Sequence, residues 1–263
     1  MTTWKKALCA VALGAAFSAP AMAIPFSEFT VDESSVPGAL VNVFQADKIN
    51  GAYSEVLTFT GNTFTTNAYY TVGQFLSNDG TVAVGSQVAV PPSISPNTYQ
   101  LYATFTSSGT FSTTGDDTTF TGADGTLNVY IDPNTATGLS LGATGADPVN
   151  RTNTGDDYLI GTSTDLMFGQ GVINGGEAAG NFALIFDQFT LTPQGEAYFT
   201  QPRPFYIMVN IDGDFDNFEP TGTVRTTGDA SVNFVGKIPE PGSLALLGGA
   251  LLGLGAIRRR KAQ

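Results

Sequence analysis

The chain is 263 residues long, contains no histidine, and has one cysteine, Cys9. Past residue 23 it offers neither His nor Cys, which excludes Ser-His-Asp triads, Cys-His pairs, ordinary zinc sites and disulfides from the body of the protein. Its 23 acidic and 11 basic residues give a net charge of −12, which repels nucleic acid and anionic membrane surfaces and suits divalent cations, neutral polymers or plain extracellular solubility.

Residues 1–23 read as a secretory signal. Lys5 and Lys6 form the positive start, residues 7–17 the apolar middle, and Ala21-Met22-Ala23 the small-residue cleavage site, so the mature chain begins near Ile24. Cys9 lies early in the apolar segment and not at its end, the wrong place for a lipid-modified N-terminus. Six of the 11 basic residues fall in the two ends, so residues 24–257 hold 23 acids against 5 bases, a net charge of −18.

Residues 24–237 read as one extracellular domain, rich in Gly, Thr, Ser and Asn and sparse in charge, a composition poor at helices and good at short strands joined by tight turns. Alternation predicts strands over residues 53–60, 64–72, 81–90, 99–106 and 110–114, and again over 182–191, 206–211 and 230–235. Asp79-Gly80 reads as a hairpin turn ahead of Val82 and Val84. Asp124-Gly125 precedes residues 127–131, where Leu127, Val129 and Ile131 share one face. Pro91-Pro92 and Pro96 interrupt the first half, and residues 132–157 read as a long loop with little hydrophobic pattern. There is no internal repeat and no convincing helix. Strands at this density predict an all-β fold, a single β-sandwich of jelly-roll character.

Asp212, Asp214 and Asp216 occupy alternate positions, and three such carboxylates converge if the backbone curls as a calcium loop requires. Asn217 stands where an EF-hand-like loop needs glycine and Thr223 where its closing glutamate belongs, so the choice lies between weak calcium binding and a solvated acidic loop. No other cofactor is expected. Asp116-Asp117 and Asp156-Asp157 are paired carboxylates of the type that hydrolyses glycosides, or simply solvated turns. The aromatics at Tyr69-Tyr70, Phe182, Phe186, Phe189, Tyr198-Phe199, Phe205-Tyr206, Phe215 and Phe218 either fill a core or form flat platforms for sugar faces. Asn150-Arg151-Thr152 fits an N-glycosylation pattern that bacteria seldom use.

Residues 238–263 contain Pro239-Glu240-Pro241, an uncharged apolar run over 243–257, and the basic cluster Arg258-Arg259-Arg260-Lys261. As a helix the run reaches only about 21 to 23 Å against a hydrocarbon core of about 30 Å. It reads as a short transmembrane helix, a temporary hold at the inner membrane with the basic cluster on the cytoplasmic side and the body outside. Gly249 and Gly253 either permit a close helix crossing or merely keep the helix slim. The order IPEPGSLALLGGALLGLGAIRRRK closely resembles the PEP-CTERM sorting signal of Gram-negative bacteria that make exopolysaccharide. That resemblance implies handling by an exosortase, a membrane protease-transpeptidase that removes the segment beyond the Pro-Glu-Pro. The alternative is an ordinary C-terminal anchor.

Residues 29–59, 130–148 and 204–218 resemble the flocculation-associated PEP-CTERM proteins of floc-forming bacteria. The resemblance implies a non-enzymatic role in cell aggregation within the exopolysaccharide matrix, and assigns no residue beyond the sorting signal. The expected protein is thus exported to the cell surface or extracellular matrix. There it promotes flocculation and biofilm by association with exopolysaccharide, through aromatic stacking or calcium bridging. A polysaccharide-active enzyme with paired carboxylates and a structural surface-layer subunit are the alternatives.

Overall fold

The structure is a computed structural model that describes residues 26–89, 98–175 and 179–236. The secretory signal with Ala21 and Ala23, and the tail with Pro239, Glu240, Pro241, Arg258, Arg259, Arg260 and its apolar run, lie outside these residues.

In chain order the strands begin with β1 (Phe29–Asp32), β2 (Val43–Ala46), β3 (Lys48–Thr60), β4 (Thr63–Ser77) and β5 (Val82–Val84). Next come β6 (Gln100–Thr114), β7 (Asp117–Asp132), β8 (Gly138–Ser140), β9 (Asn150–Thr152), β10 (Tyr158–Ser163) and β11 (Asp165–Ile173). The remainder are β12 (Ala179–Asp187), β13 (Thr190–Leu191), the short helix α1 (Pro193–Tyr198), β14 (Phe199–Gln201), β15 (Met208–Asp216) and β16 (Thr223–Val235).

The all-β class stands as the sequence predicts, but the two-layered jelly roll does not emerge. Eight strands run in the order β11-β12-β15-β16-β3-β4-β6-β7, every pair antiparallel, and β11 returns to β7 through Gln170↔Thr121 to Ile173↔Thr118. The sheet therefore closes on itself into a barrel-like form, which leaves these strands no free edge. Closure depends on β7 serving two neighbours. Its first half pairs β11, while Leu127 to Ile131 pair β10. Where β7 changes partner the walls touch backbone to backbone: a Cβ on Gly122 would stand 2.9 Å from Leu166 Cδ2 and 3.4 Å from the Gly169 Cα.

Several expected strands change in extent. The two predicted over 99–106 and 110–114 are one strand, β6, with a bulge between Ser108 and Gly109. The strand predicted over 81–90 shrinks to β5, because the backbone N–H of Gln87 turns away to donate to Glu33 (2.8 Å). The run over 182–191 divides into β12 and β13 at Gln188, whose φ is 53°. The Asp79-Gly80 turn forms as expected, with Asn78, Asp79 and Gly80 all at positive φ and the Asp47 carboxylate accepting from both Asp79 N (2.7 Å) and Gly80 N (2.9 Å). The helix α1 was not foreseen. Thr192 caps it by accepting from Gly195 N (3.1 Å), and Pro193 opens its first turn.

Inside the barrel the alternation works as period 2 demands. Leu127, Val129 and Ile131 of β7 pack together with Ile49, Val72, Phe75 and Leu101 in one cluster. Tyr53, Leu57, Phe59, Phe64, Phe120 and Phe215 form a second. One end is covered by β1, β2, α1 and β14, whose Phe29 sets its ring edge-on against Phe75, Phe199 and Phe234 at 6.4, 5.7 and 5.2 Å. Glu33, fully buried beneath this cover, accepts from Ser86 Oγ, Gln87 N, Tyr99 OH, Asn42 Nδ2 and Gln87 Nε2 at 2.7 to 2.9 Å. These bonds pin the cover to the chain segment ahead of β6. The excursion over 133–157, expected as loop, contains the β8–β9 hairpin and folds back over the outer wall. Gly145 N donates to Thr58 Oγ1 (2.9 Å), Asn67 Nδ2 to Gly145 O (3.1 Å) and Arg225 to Gly142 O (2.6 Å).

Candidate functional site

The outer wall of the barrel carries the charge. β15 alternates Val209, Ile211, Gly213 and Phe215 inward with Asp212, Asp214 and Asp216 outward, so the three aspartates stand in a row on an extended strand. They are exposed, and their backbone is hydrogen-bonded to β12 throughout and to β16 as far as Gly213. The curl that would bring three carboxylates onto one calcium ion is absent, because Ile211 and Phe215 hold the strand flat against the core. Asp229 on β16 joins the row, its N–H donating to Asp214 Oδ1 (3.0 Å). Partial desolvation against the wall raises the Asp212 carboxyl above the usual carboxylate range although its side chain reaches solvent, and Lys48 opposes that rise.

A second acidic group does converge. Asp132, Asp156 and Asp157 place carboxylate oxygens within 4.8 Å of one another, at the point where the wall-covering excursion leaves and rejoins the barrel. Sequence spacing could not show this, since Asp132 ends β7 and the other two precede β10. Asp132 is fully buried and accepts from Thr137 N (2.8 Å) and Asn134 N (3.1 Å). Burial raises its pKa, those two backbone bonds lower it, and the Asp157 and Asp156 charges raise it further. Asp156 accepts from Asn134 Nδ2 (2.7 Å); Asp157 accepts from Thr137 Oγ1 (2.7 Å) and from the Tyr102 hydroxyl. The donor set is hard oxygen, suited to calcium or magnesium, and five hydrogen bonds from Asn134, Thr137 and Tyr102 already tie these carboxylates to the loop and wall.

Beside this group Tyr102 and Tyr130 stack at 5.2 Å, and Arg151 of β9 lies over the Tyr130 ring at 4.3 Å while donating to Tyr102 OH (3.1 Å). Arg151, singled out only as part of a glycosylation pattern, thus closes the aromatic face to solvent. Asp116-Asp117 sits at the β6–β7 turn, with Asp117 Oδ1 accepting from Gly175 N (2.8 Å). Its two carboxylates belong to a turn and join no third one among the described residues. The aromatics named from sequence are largely inside: Phe186, Phe189, Tyr198, Phe199 and Phe215 are buried, Phe182 stacks on Phe215 at 6.5 Å, and Tyr70 and Phe205 pack on the core. Among the described residues Phe168 is the one exposed aromatic ring.

The PEP-CTERM protein-sorting motif matches residues 237–261, which include Pro239-Glu240-Pro241 and Arg258 to Lys261. No curated protein and no solved structure matches the chain. The motif marks an exported surface protein directed to an exosortase through the membrane of a Gram-negative bacterium. Behind its all-β barrel-like body, then, the chain carries a PEP-CTERM protein-sorting motif over residues 237–261.

Proposed function

We propose that the protein works at the cell surface or in the extracellular matrix as a non-enzymatic adhesion protein. In this reading its acidic barrel associates with exopolysaccharide and promotes cell aggregation in flocs or biofilm. The carrying observation is the segregation of side chains: rings inside, and Asp212, Asp214, Asp216 and Asp229 outside on two adjoining strands. Such a wall favours bridging by calcium between its carboxylates and the acidic groups of a polymer. Ring stacking on sugars is the poorer fit, since of the rings proposed for it all but Tyr69 are buried in or packed on the core. The paired aspartates support the non-enzymatic reading in the same way, because Asp117 and Asp157 act as hydrogen-bond acceptors that hold turns.

The test is a deletion strain and a strain carrying Asp212→Asn, Asp214→Asn and Asp216→Asn together. Both should aggregate poorly, and the purified triple variant should lose calcium-dependent retention on the producer's own polysaccharide. Normal aggregation of the deletion strain, with export of other sorted proteins intact, would overturn the proposal. The proximity of Asp132, Asp156 and Asp157 supports one rival, polysaccharide cleavage, which new reducing ends after incubation with the polymer would establish. Self-assembly without polysaccharide would instead favour a surface-layer subunit.

A further inference from the structure

The inside of the barrel is not filled. Between the two core clusters lies a cavity of about 150 Å³, walled by such residues as Leu57, Phe64, Phe105, Leu127, Phe182 and Leu184. Protein interiors pack as densely as organic crystals, with few voids larger than a water molecule. Eight-stranded barrels are the size at which an interior either just fills or holds one small ligand. A cavity of roughly this volume with apolar walls stays dry and accepts a molecule the size of benzene.

One ionisable carboxylate faces that space. Glu55 of β3 shares the inward parity of Tyr53, Leu57 and Phe59, and it lines the cavity. Its Oε1 accepts from Thr66 Oγ1 (2.6 Å), a hydroxyl that also reaches Val56 O (3.1 Å). A carboxylate has about four acceptor sites, so the bond from Thr66 leaves most of its capacity unused. The neighbouring phenols do not supply the rest: Tyr53 OH donates to Asp214 O (2.8 Å), and Tyr70 OH lies 3.3 Å from Ala230 O. Among the described residues no Lys or Arg lines the cavity, so the carboxylate has no counter-charge there. Burial accordingly pushes the Glu55 carboxyl up to about 7, with the Thr66 hydrogen bond opposing the rise.

We propose that the barrel interior is a binding site for a small amphiphilic amine, with an apolar body of about benzene size against the aromatic wall and its protonated nitrogen on the Glu55 carboxylate. The ligand supplies what the cavity lacks: dispersion contacts for unfilled walls, hydrogen-bond donors for free lone pairs, and a positive charge for a buried negative one. A cavity of about 150 Å³ is too small for a polymer chain, so this site is separate from the outer wall and does not depend on its role.

The probes are benzylamine, benzyl alcohol and toluene, titrated into the secreted protein at pH 8 by calorimetry. Benzylamine should bind at least about tenfold tighter than toluene, equivalent to roughly 1.4 kcal/mol, with benzyl alcohol between them. Glu55→Gln should bring benzylamine and toluene to within about twofold of each other while toluene binding persists, which shows that the cavity is intact. In the unaltered protein, carbon NMR should show the Glu55 titration midpoint falling by about one pH unit or more when benzylamine is present. Equal binding of benzylamine and toluene, binding of neither, or an unmoved Glu55 midpoint would overturn the proposal. Tighter binding of benzyl alcohol than of benzylamine would overturn the amine assignment.

Discussion

Glu55→Gln should stabilise the barrel at neutral and alkaline pH and leave it unchanged in acid. The ordinary pKa of the side chain is 4.5, and burial raises it to about 7 in the folded protein. Below pH 4.5 both folded and unfolded chains hold the proton, and the buried group costs nothing. Between 4.5 and 7 the folded state retains a proton that the unfolded state has released, so stability falls as pH rises; above 7 the cost is complete. At roughly 1.4 kcal/mol per pH unit the full cost is about 3 kcal/mol. Glutamine keeps the shape and the acceptor for Thr66 Oγ1 but carries no charge. Urea unfolding of both proteins at pH 4, 6 and 8 separates this effect from every other carboxylate, since those titrate alike in the pair. The variant should match the wild type at pH 4 and exceed it by about 2 to 3 kcal/mol at pH 8. Equal stability at both pH values, or a variant weaker at pH 8, would refute the placement of this charge inside the barrel.

Three further outcomes follow from the packing. Glu33→Ala removes a fully buried acceptor of five hydrogen bonds and should lower the unfolding free energy by about 3 to 5 kcal/mol, read from urea midpoints. Phe29→Ala empties the space between Phe75, Phe199 and Phe234 and should cost about 3 to 5 kcal/mol in the same assay, with faster proteolysis of the N-terminal strands. Arg151→Ala strips the cover from Tyr130 and the hydrogen bond to Tyr102, and should cost about 1 kcal/mol while increasing quenching of tyrosine fluorescence by acrylamide.

Much of the wall was legible because period-2 alternation survives in the letters. Leu127, Val129 and Ile131 sit on one face as expected, and residues 53–60 and 64–72 fall inside β3 and β4. Closure was not legible. A sandwich and a barrel impose the same alternation, and the difference lies in β7 passing from β11 to β10 along its length, a long-range pairing with no local mark. The charge of the β15 aspartates suggests a calcium loop or a solvated acidic loop, whereas Val209, Ile211, Gly213 and Phe215 alternate with them, a parity that places them on a strand. Parity also marks Glu55, which lies between Tyr53 and Leu57 on the inward set. The Asp132–Asp156–Asp157 group is a product of the excursion folding back, and only its last two members are neighbours in sequence.

Export followed by removal of the tail is tested most directly by mass spectrometry of both ends of the protein recovered from the cell surface. An N-terminus near Ile24 and a C-terminus that lacks everything beyond Pro239-Glu240-Pro241 are expected. Recovery of surface protein that still carries Arg258 to Lys261 would contradict it.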